Sequence, residues 1–152
     1  SLLQWALNRD EEPVRGAGRI GVAGVHLEAL AKGFDVRGSV AVADRSGNTA
    51  CTLAVALRAR PRGGVKLGHR VSIDVAMAVT DGLDDVESGL RRSLVYQFFD
   101  RPPTVVVSDG PLRHAASLEL DVTPALFSYL SAEALLVEVR LVDEASVAAA
   151  TG

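Results

Sequence analysis

Apolar and polar residues alternate with a period of two along much of the chain, and residues 34–61 show this most clearly. The alternation predicts two half-buried strands, because successive side chains of a strand point to opposite faces. The segment DRSGN (44–48) between them suits a tight connection, so a β-hairpin is expected. Its apolar face is predicted to contain Phe34, Val36, Val40, Val42, Cys51, Leu53, Val55 and Leu57.

The residues before and after this hairpin predict further strands. Residues 19–33 fit a strand first, although Leu27, Leu30 and the alanines also fit a helix. Residues 65–79 alternate over fifteen positions, which is long for one strand, so a bulge or bend near Gly68 is expected. Both segments therefore extend the predicted sheet.

The C-terminal half predicts three more strands. Residues 104–122 form two of them, separated by SDGP (108–111), and residues 135–143 form the third. In the second of these strands the apolar face is predicted to contain Leu112, His114, Ala116, Leu118 and Leu120.

A change of period predicts the main helix. Between residues 83 and 99 apolar positions recur at spacings of three and four, and DRPP (100–103) ends the pattern. A second, shorter helix is expected to begin with Thr123 as its N-cap and Pro124 at its first position. The apolar residues of the main pattern are Leu83, Val86, Leu90, Leu94 and Phe98.

These elements predict a β-rich, antiparallel α+β domain over residues 19–143, with its one main helix near 83–99. An open layer and a two-sheet sandwich both fit, whereas a doubly wound parallel sheet is disfavoured because strands follow strands. Residues 1–18 are interpreted as an N-terminal appendage and linker, and residues 144–152 as a loose C-terminal tail.

The charge balance argues against nucleic acid as a general partner. The formal net charge is −3, and no run of like charges is long enough for a basic arm or an acidic tail. A local basic patch is the exception, and it either solvates the end of a hairpin or binds a ligand. Its members are Arg58, Arg60, Arg62, Lys66 and Arg70.

The single cysteine and the hydropathy pattern bear on location. One cysteine cannot form an internal disulfide, which suits a reducing compartment. No apolar stretch approaches the roughly 20 residues of a spanning helix, and the first residues do not resemble a signal peptide. An intracellular, cytoplasmic, soluble protein is therefore expected.

Few residues suggest catalysis. Cys51 is a possible nucleophile, but its place among apolar strand residues favours packing. His26, His69 and His114 match no metal-ligand spacing. Glu119 and Asp121 lie two apart on one strand, roughly 7 Å from each other, where they suit either acid–base chemistry or a solvated face. The glycines of RGAGRIGVAG do not follow a strand as a dinucleotide-binding loop requires, and no cofactor or metal is expected.

Two functional hypotheses follow from the residues. The first is a non-enzymatic binding or assembly module that self-associates, or binds a protein partner, through a sheet edge or face. The alternative is a small-molecule enzyme with a pocket between sheet and helix. In that enzyme His69 or His114 would form an acid–base pair with Glu119 or Asp121.

Three segments also resemble the strands of the thirty-kilodalton superfamily of plant-virus movement proteins: RGSVAVADR, RVSIDVAMAVTD and AASLELDV. The resemblance spans roughly residues 25–142, with Asp44 ending the first strand and Ser117–Glu119 in the last. It implies a viral protein that binds single-stranded nucleic acid, with Asp44 in a structural or transport role and no catalytic residue. The chain departs from such proteins in its acidic balance and in its few aromatic residues.

Overall fold

A computed structural model describes residues 18–81 and 89–143, which contain eight strands and two helices. The strand-dominated, antiparallel class predicted from the sequence is confirmed. The strands are β1 (Gly18–His26), β2 (Val36–Ala43), β3 (Thr49–Arg60), β4 (Arg70–Asp81), β5 (Leu90–Tyr96), β6 (Thr104–Ser108), β7 (Arg113–Asp121) and β8 (Ala134–Asp143). The helices are α1 (Glu28–Ala31) and α2 (Pro124–Ala132).

All eight strands belong to one sheet with the order β6-β5-β8-β1-β2-β3-β4-β7, and every pairing is antiparallel. The sheet is therefore one curved layer and not a two-sheet sandwich. Its curvature is nearly that of a barrel, since Tyr96 of β5 lies 2.7 Å from His114 of β7 although these strands are near opposite ends of the order.

The predicted hairpin is present, and Asp44 stabilises its turn. The Asp44 carboxylate accepts hydrogen bonds from the backbone N–H groups of Ser46 and Asn48, at 2.9 and 3.0 Å. Gly47 adopts a φ of +84°, which glycine tolerates without strain. Inward residues of β3 are buried and Cys51 is among them, whereas Phe34 precedes β2 and is exposed.

The core lies on the concave face of the sheet and is covered at one end by the two helices. Leu27 and Leu30 of the α1 segment and Leu126 and Leu130 of α2 are fully buried there. The predicted cap is also confirmed, because the Thr123 hydroxyl accepts the backbone N–H of Leu126 and Pro124 opens the helix.

The predicted main helix at 83–99 is wrong where the structure describes it. Residues 90–96 form strand β5, and residues 83–88 lie outside the described part. A spacing of four residues is compatible with the helix period of about 3.6 and with the strand period of two. Leu90, Leu94 and Phe98 therefore fit a strand face as well as a helix face. The buried set at 94, 96 and 98 shows the period of two. The longer helix of the described residues is α2, of nine residues.

The predicted strand over residues 65–79 begins only at Arg70. Gly68 has a φ of +82° and bends the chain, as expected, so the residues before it do not continue the alternation. Leu67 and His69 are consequently exposed and not inward-facing. Residues 19–33 combine both of their patterns, as strand β1 followed by the single turn α1.

The predicted N-terminal appendage (1–18) and C-terminal tail (144–152) lie outside the described residues, except that β1 begins at Gly18. None of the described helices is long and apolar enough to cross a membrane.

Candidate functional site

The antiparallel strand order places four connections at the same end of the sheet, which we call the helical end. They are residues 27–35, 61–69, 97–103 and 122–133, and they include both helices. The predicted basic patch also lies here, because β3 ends and β4 begins at this end. The basic residues that lie close together in the sequence therefore also lie at one end of the sheet.

Three arginines of the helical end surround one carboxylate. The Asp35 Oδ2 atom lies 3.5 Å from Arg58, 3.7 Å from Arg62 and 3.8 Å from Arg37. One negative charge is shared among three positive charges, so this part of the surface has an excess of positive potential. Sequence reasoning missed Asp35 and Arg37. The pairing of Val36 with Leu57 places Asp35 and Arg37 next to Arg58 on the neighbouring strand. Knowledge of this register would have indicated the cluster.

Arg60 of the basic patch is fixed in a different ion pair. Its guanidinium donates to both carboxylate oxygens of Asp74, at 2.7 and 2.9 Å, and the Ser117 hydroxyl donates to the same carboxylate at 2.7 Å. The hydrogen bonds from Arg60 and then from Ser117 hold the pKa of Asp74 below its ordinary value. The pKa of Arg60 is raised by the same hydrogen bond. The Arg60–Asp74 ion pair therefore has a structural role on the outer surface.

Arg70 forms ion pairs with both candidate carboxylates of β7. It lies 3.3 Å from Glu119 and 4.0 Å from Asp121, and all three side chains are mostly exposed. Glu119 and Asp121 share the outer face of the sheet, as predicted. Exposed ion pairs of this kind are typical of a solvated face.

The structure keeps the three histidines apart. His26 is at the end of β1, His69 is in the connection before β4, and His114 is on the inner face of β7. His114 and the carboxylates of Glu119 and Asp121 are on opposite faces of one strand, as their odd spacing requires. No hydrogen bond or ion pair joins the His69 side chain to either carboxylate in the described residues, which also contain no cluster suited to a metal.

His114 and Tyr96 form a partly buried pair inside the curved sheet. The Tyr96 hydroxyl and His114 Nε2 are 2.7 Å apart, and the ring centroids are 5.5 Å apart. Burial lowers the pKa of His114 and raises the pKa of Tyr96, so both neutral forms are favoured. The pair links β5 to β7 and is explained by this packing role.

This pair predicts a component of acid sensitivity. Because the pKa of folded His114 is lowered, the unfolded chain binds more protons once the pH falls below the ordinary histidine value of about 6.5. The free energy of unfolding should therefore fall between pH 7.5 and 5.5 by more in the wild type than in His114→Gln. Urea denaturation at both pH values measures this, and equal losses in the two proteins would contradict it.

Cys51 is buried, with 2% of its surface exposed, and it lies on the inward face of β3. The interpretation of this residue as a packed side chain is confirmed. A nucleophile needs access to its substrate and conditions that favour the thiolate, and burial among apolar residues works against both.

Two recesses lie close to the basic patch. A groove of about 500 Å³ crosses the outer face of β3, β4 and β7, with a floor of alanines and with Arg37, Arg58, Asp74 and Ser117 around it. A smaller cleft of about 90 Å³, the loop cleft, lies within the connection between β3 and β4. Its polar lining consists of Arg62, Lys66, His69 and Arg70.

The two edge strands differ in chemistry. In the described sheet β6 and β7 each pair with one neighbour only. β7 has charged residues at both ends, and the Arg101 side chain donates to the backbone carbonyl of Glu119. β6 has the sequence TVVVS, without a charge, and Val105 is 54% exposed. Its charged residues and the Arg101 side chain therefore protect the β7 edge against pairing with another strand. The β6 edge has no such protection among its own residues.

Asp44, which the movement-protein resemblance singles out, is accounted for by its two hydrogen bonds within the hairpin turn. Ser117 and Glu119, from the third segment of that resemblance, contact Asp74 and Arg70. In comparisons with known proteins, no family model matches this chain and no curated protein matches it.

Proposed function

We propose that this protein is a non-enzymatic binding module that self-associates through its edge strand β6. The observation that carries the proposal is the uncharged, valine-rich edge with Val105 exposed on it. A second copy supplies a partner of matching chemistry, because two β6 strands can pair antiparallel about a two-fold axis. The pairing joins two eight-stranded sheets into one continuous sheet.

An unpaired sheet edge lacks hydrogen-bonding partners for its outward backbone groups. Within the described sheet β6 has one strand neighbour, and a second β6 strand would join the outward N–H and C=O groups in a regular ladder. Val95 and Val105 form a cross-strand pair on the outer face, which the added strand extends. Burial of these valines adds hydrophobic stabilisation at about 25 cal/mol per Å² of apolar area.

The enzyme alternative receives less support from the geometry. His114 pairs with Tyr96 on the inner face, while Glu119 and Asp121 contact Arg70 on the outer face. The remaining combination is His69 with one of these carboxylates. A bell-shaped pH profile that is lost on replacement of His69 would favour the enzyme over the binding module.

Substitution of Val105 by lysine tests the assembly. We expect Val105→Lys to weaken self-association at least tenfold, because a charge at the edge opposes pairing with its own copy and the monomer leaves this position in water. Val105→Thr, which keeps the β-branched shape, should weaken it much less. Sedimentation velocity over a range of concentrations measures both.

A matched control comes from another exposed apolar residue. Phe34→Lys introduces the same charged side chain at the helical end, at a residue that is 67% exposed, and should leave the association constant within twofold of the wild type. Loss of association in Phe34→Lys and not in Val105→Lys would transfer the interface to the helical end. A wild-type monomer at every concentration would overturn the proposal.

A further inference from the structure

The loop cleft has an unusual balance of charge. Arg62, Lys66, His69 and Arg70 line it, and none of the described residues that line it is acidic. The acidic partners of these groups lie outside the lining. Asp35 is 3.7 Å from Arg62 and is shared with two other arginines, and Arg70 lies 3.3 Å from Glu119 and 4.0 Å from Asp121 on the outer surface. The cleft therefore concentrates positive charge in a concave space, which attracts anions.

Among the described residues, two of these four groups have no partner of their own. The side chains of Lys66 and His69 make no hydrogen bond or ion pair with any residue of the described ranges, 18–81 and 89–143. Both are donors when protonated, and both line the same small space. An anion in the cleft would satisfy them without displacing an existing contact.

The backbone holds these two residues in place. The His69 N–H donates to the Lys66 carbonyl at 3.1 Å, which closes a tight turn. The Gly68 N–H donates to the Val122 carbonyl at 3.0 Å, and the Val122 N–H donates to the His69 carbonyl at 2.8 Å. The turn is thus tied to the segment that precedes α2. The backbone of a turn held in this way loses little conformational freedom when a ligand binds.

The other side of the loop is fixed by a close approach of glycines. A Cβ at Gly33 would lie 2.7 Å from the Gly64 backbone nitrogen, so the connection packs directly on the end of α1. Gly63 and Gly64 have φ values of +105° and +99°, and they allow the sharp course of the chain around the cleft. Three glycines therefore shape the cleft.

The volume restricts the ligand group. A cleft of about 90 Å³ holds a small group such as a tetrahedral oxyanion. A phosphate monoester offers several acceptor oxygens and up to two negative charges. Guanidinium, ammonium and imidazolium groups match these with charge-assisted hydrogen bonds.

We propose that the loop cleft binds the phosphate monoester group of a ligand, with Lys66 and His69 as its direct donors and with Arg62 and Arg70 contributing positive charge. This binding is independent of self-association through β6. Exposed Leu67 lies between Lys66 and Gly68 on the same turn, where it would enter a lipid surface if the phosphate belongs to a headgroup.

The first experiment uses inorganic phosphate as the probe. Titration of the full chain, followed by calorimetry and by NMR of the backbone amides, should give saturable binding with the largest shifts at residues 62–70. The double substitution Lys66→Gln with His69→Gln should weaken binding at least tenfold. All proteins are compared at constant ionic strength, because surface electrostatics depend on salt.

Lys32 provides the matched control. It is an exposed lysine of the same end that is already paired with Glu28 at 2.8 Å, and it does not line the cleft. Lys32→Gln should keep the phosphate affinity within twofold of the wild type. Equal losses in Lys32→Gln and in the double variant would overturn the site in favour of general electrostatic attraction, as would the absence of saturable binding.

A second arm identifies the source of the phosphate. Vesicles of phosphatidylcholine with phosphatidic acid present the same monoester on a membrane, and phosphatidylcholine alone is the control. Sedimentation that requires phosphatidic acid, and that Leu67→Ser reduces at least fivefold without changing the affinity for inorganic phosphate, supports a lipid headgroup. Saturable phosphate binding without vesicle binding supports a soluble phosphate ester at the same cleft.

Discussion

Replacement of Phe98 by alanine is expected to lower the free energy of unfolding by about 3–5 kcal/mol, the usual cost of removing a buried aromatic ring. Phe98 is 1% exposed and meets the ring of Tyr129 edge to face, with centroids 5.6 Å apart. Tyr129 belongs to α2, so the substitution leaves a cavity where this helix covers the core. Equilibrium denaturation in urea measures the loss.

The matched control for this prediction is Phe34→Ala. The same atoms are removed from a residue that is 67% exposed, so the free energy of unfolding should change by less than about 0.5 kcal/mol. Similar losses at the two positions would mean that α2 does not cover Phe98 as described. The denaturant dependence should stay the same in all three proteins, because the surface exposed on unfolding is nearly unchanged.

Replacement of Gly33 by alanine should have the second large effect. A residue with a side chain is strained at the Gly33 φ of +90°, at a cost of about 1–3 kcal/mol. Its Cβ would also lie 2.7 Å from the Gly64 nitrogen, and backbone atoms must move to relieve that overlap. We expect loss of stability by thermal denaturation together with weaker phosphate binding, because the loop cleft is built on Gly64.

Gly47→Ala separates strain from overlap. Gly47 has a similar φ of +84°, but a Cβ there would meet no atom within 4 Å. It should therefore show the strain alone, with phosphate binding unchanged. If Gly33→Ala were no more destabilising than Gly47→Ala, the close packing of the loop on α1 would be refuted.

Sequence patterns predicted the structure correctly where contacts between nearby residues determine it. The hairpin was predictable because its strands alternate strictly and DRSGN supplies an aspartate that caps the turn through its own side chain. The start of α2 was predictable because Thr123 and Pro124 act within a single turn of helix. In both cases the decisive contacts lie within five residues of each other.

The error at 83–99 has the opposite origin. Apolar residues spaced by four satisfy a helix and a strand equally. Pairing of β5 with β6 and β8 decided the structure of residues 90–96. Those partners lie beyond any local window of sequence, and such tertiary contacts override a local preference.

The candidate site was predictable in part. The sequence placed Arg58, Arg60, Arg62, Lys66 and Arg70 near the end of a hairpin, and the structure agrees. It did not indicate which of them have partners. Asp74 holds Arg60, and Asp35 is shared by Arg37, Arg58 and Arg62, because register and sheet curvature bring these residues together.

From its residues alone, the chain specified a mainly antiparallel sheet, the inward position of Cys51 and the turn at Asp44, since side-chain alternation and turn chemistry act over a few neighbouring residues. The tertiary structure decided that β6 and β7 form the edges, that His114 faces Tyr96, and that the loop cleft opens beside Lys66 and His69. These features depend on strand order and on close approach between distant segments. Many orders of pairing satisfy the same alternation, and only the packing of the whole sheet selects one of them.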